Sequence, residues 1–319
     1  MSEQVNIETV GEAKELPALT ASPSDRAPSR ARAIGSRAPL RVGNFIGLAL
    51  TYVFLVVMAI FALFPIYYVI QASLAGGQNL YTTDLHVFPV NVTLNNYVYA
   101  FTQLPLLNWI ANTIFICALT TILGVVCSTT GAYALARFRF AGRRFTLRAL
   151  LALQAFPGLL ALPAYYLLLN ALGLLNNLLG LVVIYAAGAL VFSCWNTKSY
   201  IDSVPSELEQ AALLDGCTPF QAFRMIVLPL ITPALAVSAL FTFTSGWNEF
   251  ALANLVLNAN STGSNLTFVL GLFSLQDDFR TPWGIFAASS IVISVPLMLI
   301  FLYAQRYFKS GLTLGGVQN

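Results

Sequence analysis

Six long apolar stretches recur along this chain and constrain its fold more than any other feature. Their approximate limits are 45–70, 108–136, 149–171, 175–196, 231–256 and 283–305. Each is as long as the roughly 20 residues that a helix needs to cross a hydrocarbon core of about 30 Å. Hydrocarbon offers no partner to backbone polar groups, so each stretch must close its own hydrogen bonds as a helix. We predict an all-α integral membrane protein with six transmembrane helices.

The composition argues against a water-soluble globule, because 57% of the residues are hydrophobic and only 9% are charged. A soluble domain usually carries roughly a quarter charged residues. The four cysteines form no CxxC pair, and three of them lie inside apolar stretches, which predicts unpaired thiols. His86 is the only histidine, so no metal site is expected.

The basic residues predict the orientation of the chain in the membrane. Of the 16 Lys and Arg residues, only Arg280 lies in a loop on the opposite side from the others. The positive-inside rule therefore predicts that both termini are cytoplasmic. Residues 1–44 are polar and lack apolar periodicity, which predicts a disordered cytoplasmic tail. The predicted membrane domain covers 45–306, and a cytoplasmic C-terminal tail covers 307–319.

The predicted cytoplasmic loop 197–230 is too patterned for a simple turn. Ser206 followed by Glu209 is typical of a capping box, which opens a short helix that continues to Asp215. Gly216 then suits a left-handed C-cap, where a residue with a Cβ would add roughly 1–2 kcal/mol of strain. We therefore predict a sharp turn at Gly216.

A second short helix is predicted after this turn. Thr218 is suited to its N-cap, Pro219 to its first position and Gln221 to its third. Pro229 is predicted to end this helix before the fifth apolar stretch. The result is a helix-turn-helix elbow, for which a purely structural role is the alternative to a docking role.

The elbow closely resembles the EAA motif of ABC importer permeases, written EAA, three residues, glycine, nine residues and I-x-L-P. The matching positions are Gln210, Ala211, Ala212, Asp215, Gly216, Ile226, Leu228 and Pro229. In that family the elbow is the coupling helix, which sits in a cleft of an ATPase and transmits its closure to the membrane helices. Gln210 departs from the motif, whose glutamate would carry a charge there. The neighbouring Glu209 projects about 100° away around the helix and does not occupy the same place.

The resemblance covers nearly the whole chain after residue 45 and is closest to the smaller, MalG-like permease of maltose-type sugar importers. It rests on the segments 88–89, 93–97, 215–223 and 304–315. It implies the type I ABC importer permease fold and a non-catalytic subunit in the bacterial cytoplasmic membrane, surrounded by lipid. The implied partners are a second, MalF-like permease, a MalK-like cytosolic ATPase dimer and an extracytoplasmic sugar-binding protein.

The cofactors implied by this resemblance, ATP and Mg, belong to the partner ATPase. The chain has no GxxxxGK[ST] phosphate loop, and neither a cofactor of its own nor a nucleic-acid partner is expected. A membrane enzyme is disfavoured because the sequence contains no HExxH or GxSxG motif and no carboxylate pair within a stretch.

The fifth apolar stretch holds the residues predicted for a gate or substrate path. Glu249 is the only acidic residue within the six stretches, and a carboxylate is costly to bury in a membrane. Phe241, Phe243 and Trp247 are candidates for stacking on sugar faces, although helix packing and lipid contact are commoner uses of such rings. The polar external loop 257–282 corresponds to one that enters the binding protein's sugar cleft in relatives.

The resemblance implies ATP-driven import of a sugar, with maltose, maltodextrin or a related oligosaccharide as the first choice. Another solute, such as glycerol phosphate or a different oligosaccharide, is the alternative. A secondary transporter is a further alternative, which would require ion-coupling polar residues at mid-membrane.

Overall fold

The structure is a computed structural model that describes residues 42–76, 91–257, 263–276 and 281–314. In chain order its helices are α1 (Val42–Leu74), α2 (Asn95–Thr102), α3 (Leu106–Arg137), α4 (Arg143–Gln154), α5 (Leu162–Ala171), α6 (Leu178–Ser203), α7 (Ser206–Leu214), α8 (Pro219–Ala222), α9 (Leu228–Leu230), α10 (Thr232–Trp247), α11 (Ala251–Leu257), α12 (Phe268–Phe273) and α13 (Trp283–Leu314). The predicted all-α class is confirmed. The predicted disordered tail lies outside the described residues up to residue 41, as do His86 and Arg280.

Four helices, α1, α3, α6 and α13, are long and apolar enough to cross a membrane. Two further pairs of helical segments are each bent at a short break, by 96° within 143–171 and by 74° within 219–247. The described chain therefore has up to six spans if each bent pair is counted as one. The predicted C-terminal tail begins as helix, because α13 continues to Leu314.

The third predicted span, 149–171, is a broken helix, bent by 96° rather than mildly kinked. Helix α4 ends at Gln154, and a 3₁₀ turn then covers Gly158–Ala161 before α5 begins. Pro157 lies at this break with an extended ψ of 112°. Proline has no N–H to donate and disfavours helical geometry in the residue before it, so the α-helical ladder stops here.

The fifth predicted span, 231–256, is also interrupted. Helix α10 ends at Trp247, and α11 begins at Ala251. The Glu249 side chain accepts hydrogen bonds from the backbone N–H groups of Leu252 and Ala253, at 2.8 and 3.0 Å. These bonds satisfy first-turn donors that have no partner inside α11. The Glu249 side chain therefore caps the start of α11. The continuous apolar character of the stretch 231–256 did not predict a helix boundary there.

Residues 59–319 form one packed unit, and residues up to 58 form another whose described part is the first half of α1. Within the larger unit, α3 packs against α6 and α10. Gly124 of α3 faces both helices, and a Cβ there would make ordinary van der Waals contact with Ala189 and Thr242 at 3.6 Å. Asn196 donates to the Ser238 hydroxyl at 3.0 Å and so links α6 to α10. Small residues and interhelical hydrogen bonds are typical of helix packing in membranes.

The described part of the predicted external loop, 263–276, is folded against the start of α3. The indole N–H of Trp109 donates to the Gly263 carbonyl at 2.5 Å, and the Phe268 N–H donates to the Thr113 hydroxyl at 2.9 Å. Phe268 and Trp109 are both buried. This part of the loop is therefore a fixed element of the fold.

Candidate functional site

The turn of the predicted elbow, defined as residues 206–230, has the expected geometry. Gly216 has φ of +89°. The Gly216 N–H donates to the Leu213 carbonyl at 3.1 Å, and the Cys217 N–H donates to the Ala212 carbonyl at 3.0 Å. These two bonds form a Schellman motif that satisfies carbonyls at the end of α7. The sharp turn predicted from Gly216 is confirmed.

The second arm of the elbow begins as predicted and ends later. Thr218 and Gln221 form a reciprocal capping box, and Pro219 occupies the first helical position. The arm then passes through a π-helical turn, 223–227, and continues past Pro229 to Leu230. The predicted end of this helix before the fifth apolar stretch is confirmed, one residue later than Pro229. The π-helical turn lies just before Pro229, which has no N–H to donate to the helix. Such turns are common where a helix is irregular.

The first arm is held in a different way from the predicted capping box. Ser206 is the first residue of α7 rather than its N-cap, and its side chain caps no backbone group. The Glu209 carboxylate, which the capping box would have used, instead accepts hydrogen bonds from two side chains of α3. Tyr133 Oη donates to it at 2.9 Å and Arg137 Nε at 2.5 Å. The Ser206 capping box is therefore wrong, and Glu209 joins α7 to the end of α3.

This ion pair is largely withdrawn from solvent, with Glu209 only 7% exposed. Arg137 also donates to the Val204 carbonyl at 2.8 Å, which fixes the chain just before α7. The Tyr133 ring additionally packs on Phe223 of the second arm, with ring centroids 4.6 Å apart. Both arms of the elbow are thus attached to the last turns of α3.

Sequence reasoning missed Tyr133 and Arg137 as partners of the elbow. The one available signal was that Arg137 is the first charge after a long apolar stretch, at the level where the elbow begins. Nothing in the spacing of residues 72 positions apart indicated that it meets Glu209. Only the packing of α3 beside the elbow brings them together.

The other motif residues divide between an outer face and an inner face of the elbow. Gln210, Ala211, Asp215, Gly216 and Pro229 are exposed, Ile226 and Leu228 are half-buried, and Ala212 is buried. The exposed group is joined by two large apolar side chains that flank the turn, Leu214 at 89% and Phe220 at 69% exposure. We call this exposed surface, Gln210, Ala211, Leu214, Asp215 and Phe220, the docking face. Such apolar exposure in a polar rim is typical of an interaction site.

Glu249 and Phe241 lie at a cavity, whereas Phe243 and Trp247, which were predicted with them, do not. Tyr185 Oη donates to the Glu249 carboxylate at 2.5 Å, beside an open cavity of about 490 Å³. Phe243 and Trp247 are buried and stack on each other, with ring centroids 5.4 Å apart. The aromatic side chains that line the cavity are Tyr165, Tyr185, Phe192 and Phe241. Of the residues predicted for the path, Glu249 and Phe241 line this cavity.

The sequence matches the family model described as "Binding-protein-dependent transport system inner membrane component" over residues 121–313. That match contains the whole elbow, its anchor on α3 and Glu249. The chain belongs to this family. As a binding-protein-dependent transport component it is an inner-membrane permease, as the resemblance of the elbow implied.

Several permeases are similar to this transport component over most of their length. It is 33% identical to the galactooligosaccharides permease GanQ of Bacillus subtilis, covering 88% of this chain and 99% of GanQ. It is 38% identical to the maltose/maltodextrin permease MalG of Vibrio vulnificus, covering 67% of this chain and 73% of MalG. It is 31% identical to the diacetylchitobiose permease DasC of Streptomyces coelicolor, covering 83% and 95%.

A solved structure supports the permease fold of this transport component. It is the crystal structure of a bacterial ABC transporter involved in the import of the acidic polysaccharide alginate. The TM-score is 0.74 and the identity is 23%, with 84% of this chain and 98% of that chain covered. At this identity the likeness establishes the fold alone.

Proposed function

We propose that this permease imports an oligosaccharide, with maltose or maltodextrin as the first choice, driven by ATP hydrolysis on a partner protein. Support for the substrate class comes from the three relatives described above, whose names specify galactooligosaccharides, maltose/maltodextrin and diacetylchitobiose. These sugars differ in their monosaccharide units, so the relatives support oligosaccharides as a class more strongly than they support maltose or maltodextrin.

The observation that carries the proposal is the elbow with its outward docking face and its inward anchor. We place the docking face in a cleft of a cytosolic ATPase dimer that binds ATP and Mg. Glu209 and Arg137 then form the route by which movement of the elbow reaches α3, since they join the two elements directly at 2.5 Å. Gln210 is exposed next to them and offers the ATPase hydrogen bonds in place of the charge that the motif's glutamate supplies.

The remaining partners in this proposal are a second permease, which supplies the other half of the pathway, and an extracytoplasmic sugar-binding protein, which delivers the substrate. The positive-inside rule supports the same arrangement, because it assigns the elbow to the cytoplasm and the loop 257–282 to the outside. Glu249 does not need to carry protons in such a machine, since its oxygens accept bonds from Tyr185 and from two N–H groups at the start of α11.

Reconstitution of the four components in lipid vesicles tests the proposed function. With ATP on the elbow side, sugar-loaded binding protein is expected to raise ATP turnover at least tenfold and to drive accumulation of labelled sugar. Maltotriose, galactotriose and diacetylchitobiose, each with its binding protein, distinguish the substrate class. An assembled complex whose ATP turnover responds to no loaded binding protein would refute import as the function.

We further propose that the cavity beside Glu249 is part of the substrate path. Its aromatic side chains and its carboxylate are the groups that stack on sugar faces and bond to sugar hydroxyls. Phe241 is exposed and packs only on Phe192 among the described rings, with centroids 5.0 Å apart. Its loss is therefore expected to cost little stability.

Phe241→Ala is expected to lower the maximal uptake rate about fivefold at saturating binding protein. The reason is that the variant loses the contact between the ring and the passing sugar. We take the energy of this contact as roughly 1 kcal/mol, the value typical of a pair of aromatic rings. Phe115→Ala is the matched control, because Phe115 is similarly exposed on α3 and does not line the cavity. Equal uptake rates for the two variants would contradict the proposal that the cavity is part of the substrate path.

A further inference from the structure

A second surface, separate from the docking face, joins α3 to α4. The segment 138–148, which we call the arginine patch, contains four arginines and no acidic residue. Arg139, Arg143, Arg144 and Arg148 surround an open cavity of about 900 Å³. The exposed rings of three phenylalanines alternate with these arginines, at Phe138, Phe140 and Phe145. Nothing in the transport mechanism described above uses this patch.

Three of these arginines are exposed and without a protein partner among the described residues. Arg143 differs, because its Nε donates to the Leu135 carbonyl at 2.7 Å. Arg139, Arg144 and Arg148 have neither a hydrogen bond nor an ion pair in the described chain, whereas the adjacent Arg137 is held by Glu209. The patch therefore presents several guanidinium groups that are free to bind an external anion.

The position of the patch places it at the edge of the hydrocarbon. It begins directly after Arg137, where the membrane-spanning helix α3 ends. Helix α4 then turns one side towards the protein, since Leu147 and Leu150 pack on the buried cluster that includes Leu135 and Ile201. Its residues Arg144 and Arg148, four positions apart, share the exposed side. The patch lies on the same side of the membrane as the elbow, because both adjoin the end of α3.

We propose that the arginine patch binds anionic phospholipids of the leaflet on the elbow side. Guanidinium groups form paired hydrogen bonds with phosphate oxygens, and an uncompensated basic cluster next to a span attracts an anionic leaflet. Exposed rings beside cations are typical of segments that lie at the headgroup level, where the rings enter the acyl boundary. The alternating phenylalanines favour a lipid over an acidic protein surface, which would not require apolar insertion.

A lipid-retention experiment on the assembled transport complex tests this proposal. Phosphatidylglycerol is added to the full-length protein in mixed micelles, and the molecules retained per folded complex are counted by native mass spectrometry. R139Q/R144Q/R148Q is expected to retain at least fivefold less phosphatidylglycerol than wild type, whereas R139K/R144K/R148K retains most of it. R26Q/R30Q/R32Q is the control that removes the same charge from the N-terminal segment, and it is expected to bind as wild type does.

Three results would overturn the proposal. They are unchanged retention in the glutamine variant, an equal loss in the N-terminal control, and loss of the ATPase subunits while the lipid is retained. The last would assign the patch to a protein partner.

A second measurement needs no mutation and therefore applies even if the glutamine variant does not fold. It is the rate of amide hydrogen exchange of residues 138–148 in the wild-type protein. It is expected to be several-fold slower in phosphatidylglycerol discs than in phosphatidylcholine discs, and equal rates contradict the proposal.

Discussion

Gly216→Val is expected to reduce binding-protein-stimulated ATP turnover at least tenfold while the membrane helices still insert. Gly216 has φ of +89°, a region in which a β-branched residue is strained by roughly 1–2 kcal/mol or more. No atom lies within 4 Å of the position a Cβ would take, so the strain comes from the backbone alone. If opening the turn relieves this strain, the ratio of correctly formed to opened elbow falls about tenfold for each 1.4 kcal/mol.

Gly173→Val provides the matched control for this variant. Gly173 also has a positive φ, of +66°, and no atom lies within 4 Å of its Cβ position. It lies in the turn between α5 and α6, away from the elbow, so a comparable strain there is expected to leave stimulated turnover within twofold of wild type. Similar losses in both variants would show that general destabilisation, rather than the shape of the elbow, accounts for the effect.

Arg137→Met is expected to destabilise the permease by roughly 3 kcal/mol, because it leaves the Glu209 carboxylate buried without its cation. The carboxylate would keep only the Tyr133 hydroxyl among its present side-chain partners. The chain just before the elbow would also lose the Arg137 bond to the Val204 carbonyl. We therefore expect a lower unfolding temperature, together with a stimulated ATP turnover that falls more than the folded fraction does.

The double variant R137M/E209M distinguishes the loss of the ion pair from the cost of leaving one buried charge unpaired. Because it removes both charges, it is expected to regain most of the lost stability, as replacement of a buried pair by apolar residues often does. K198M is a control at the ion pair between Lys198 and Asp202, four residues apart on α6, in which the carboxylate left behind is 45% exposed and stays in contact with solvent. That substitution is expected to change stability by less than about 1 kcal/mol. A single Arg137→Met variant as stable as K198M would contradict the structural role given to Glu209.

The elbow shows what local sequence chemistry predicts and what it does not. The positive φ of Gly216 and the Thr218 capping box depend on residues within a few positions of one another, and both were predicted. The role of Glu209 was not, since the competing partner Arg137 is brought near by packing of α3. A capping box satisfies two N–H groups, but an available arginine offers the carboxylate a stronger, charge-assisted bond.

The two helix breaks illustrate a similar limit. Apolar length identified the stretches 149–171 and 231–256, yet hydropathy does not report whether a helix continues through them. The sequence places Pro157 inside the first of these stretches, but a proline in a membrane helix produces either a mild kink or a full stop depending on its neighbours. Phe243 and Trp247 were likewise visible as aromatic, and only the structure shows that they are buried against each other.

The central claim is that the docking face around Gly216 contacts the ATPase, and photo-crosslinking tests it most directly. A photoreactive amino acid in place of Leu214, which is 89% exposed, is expected to crosslink to the ATPase subunit in the assembled complex. The same group in place of Leu172, which is exposed in the turn after α5, is expected not to do so. Absence of an ATPase crosslink from position 214, in a complex that still hydrolyses ATP in response to loaded binding protein, would contradict the account.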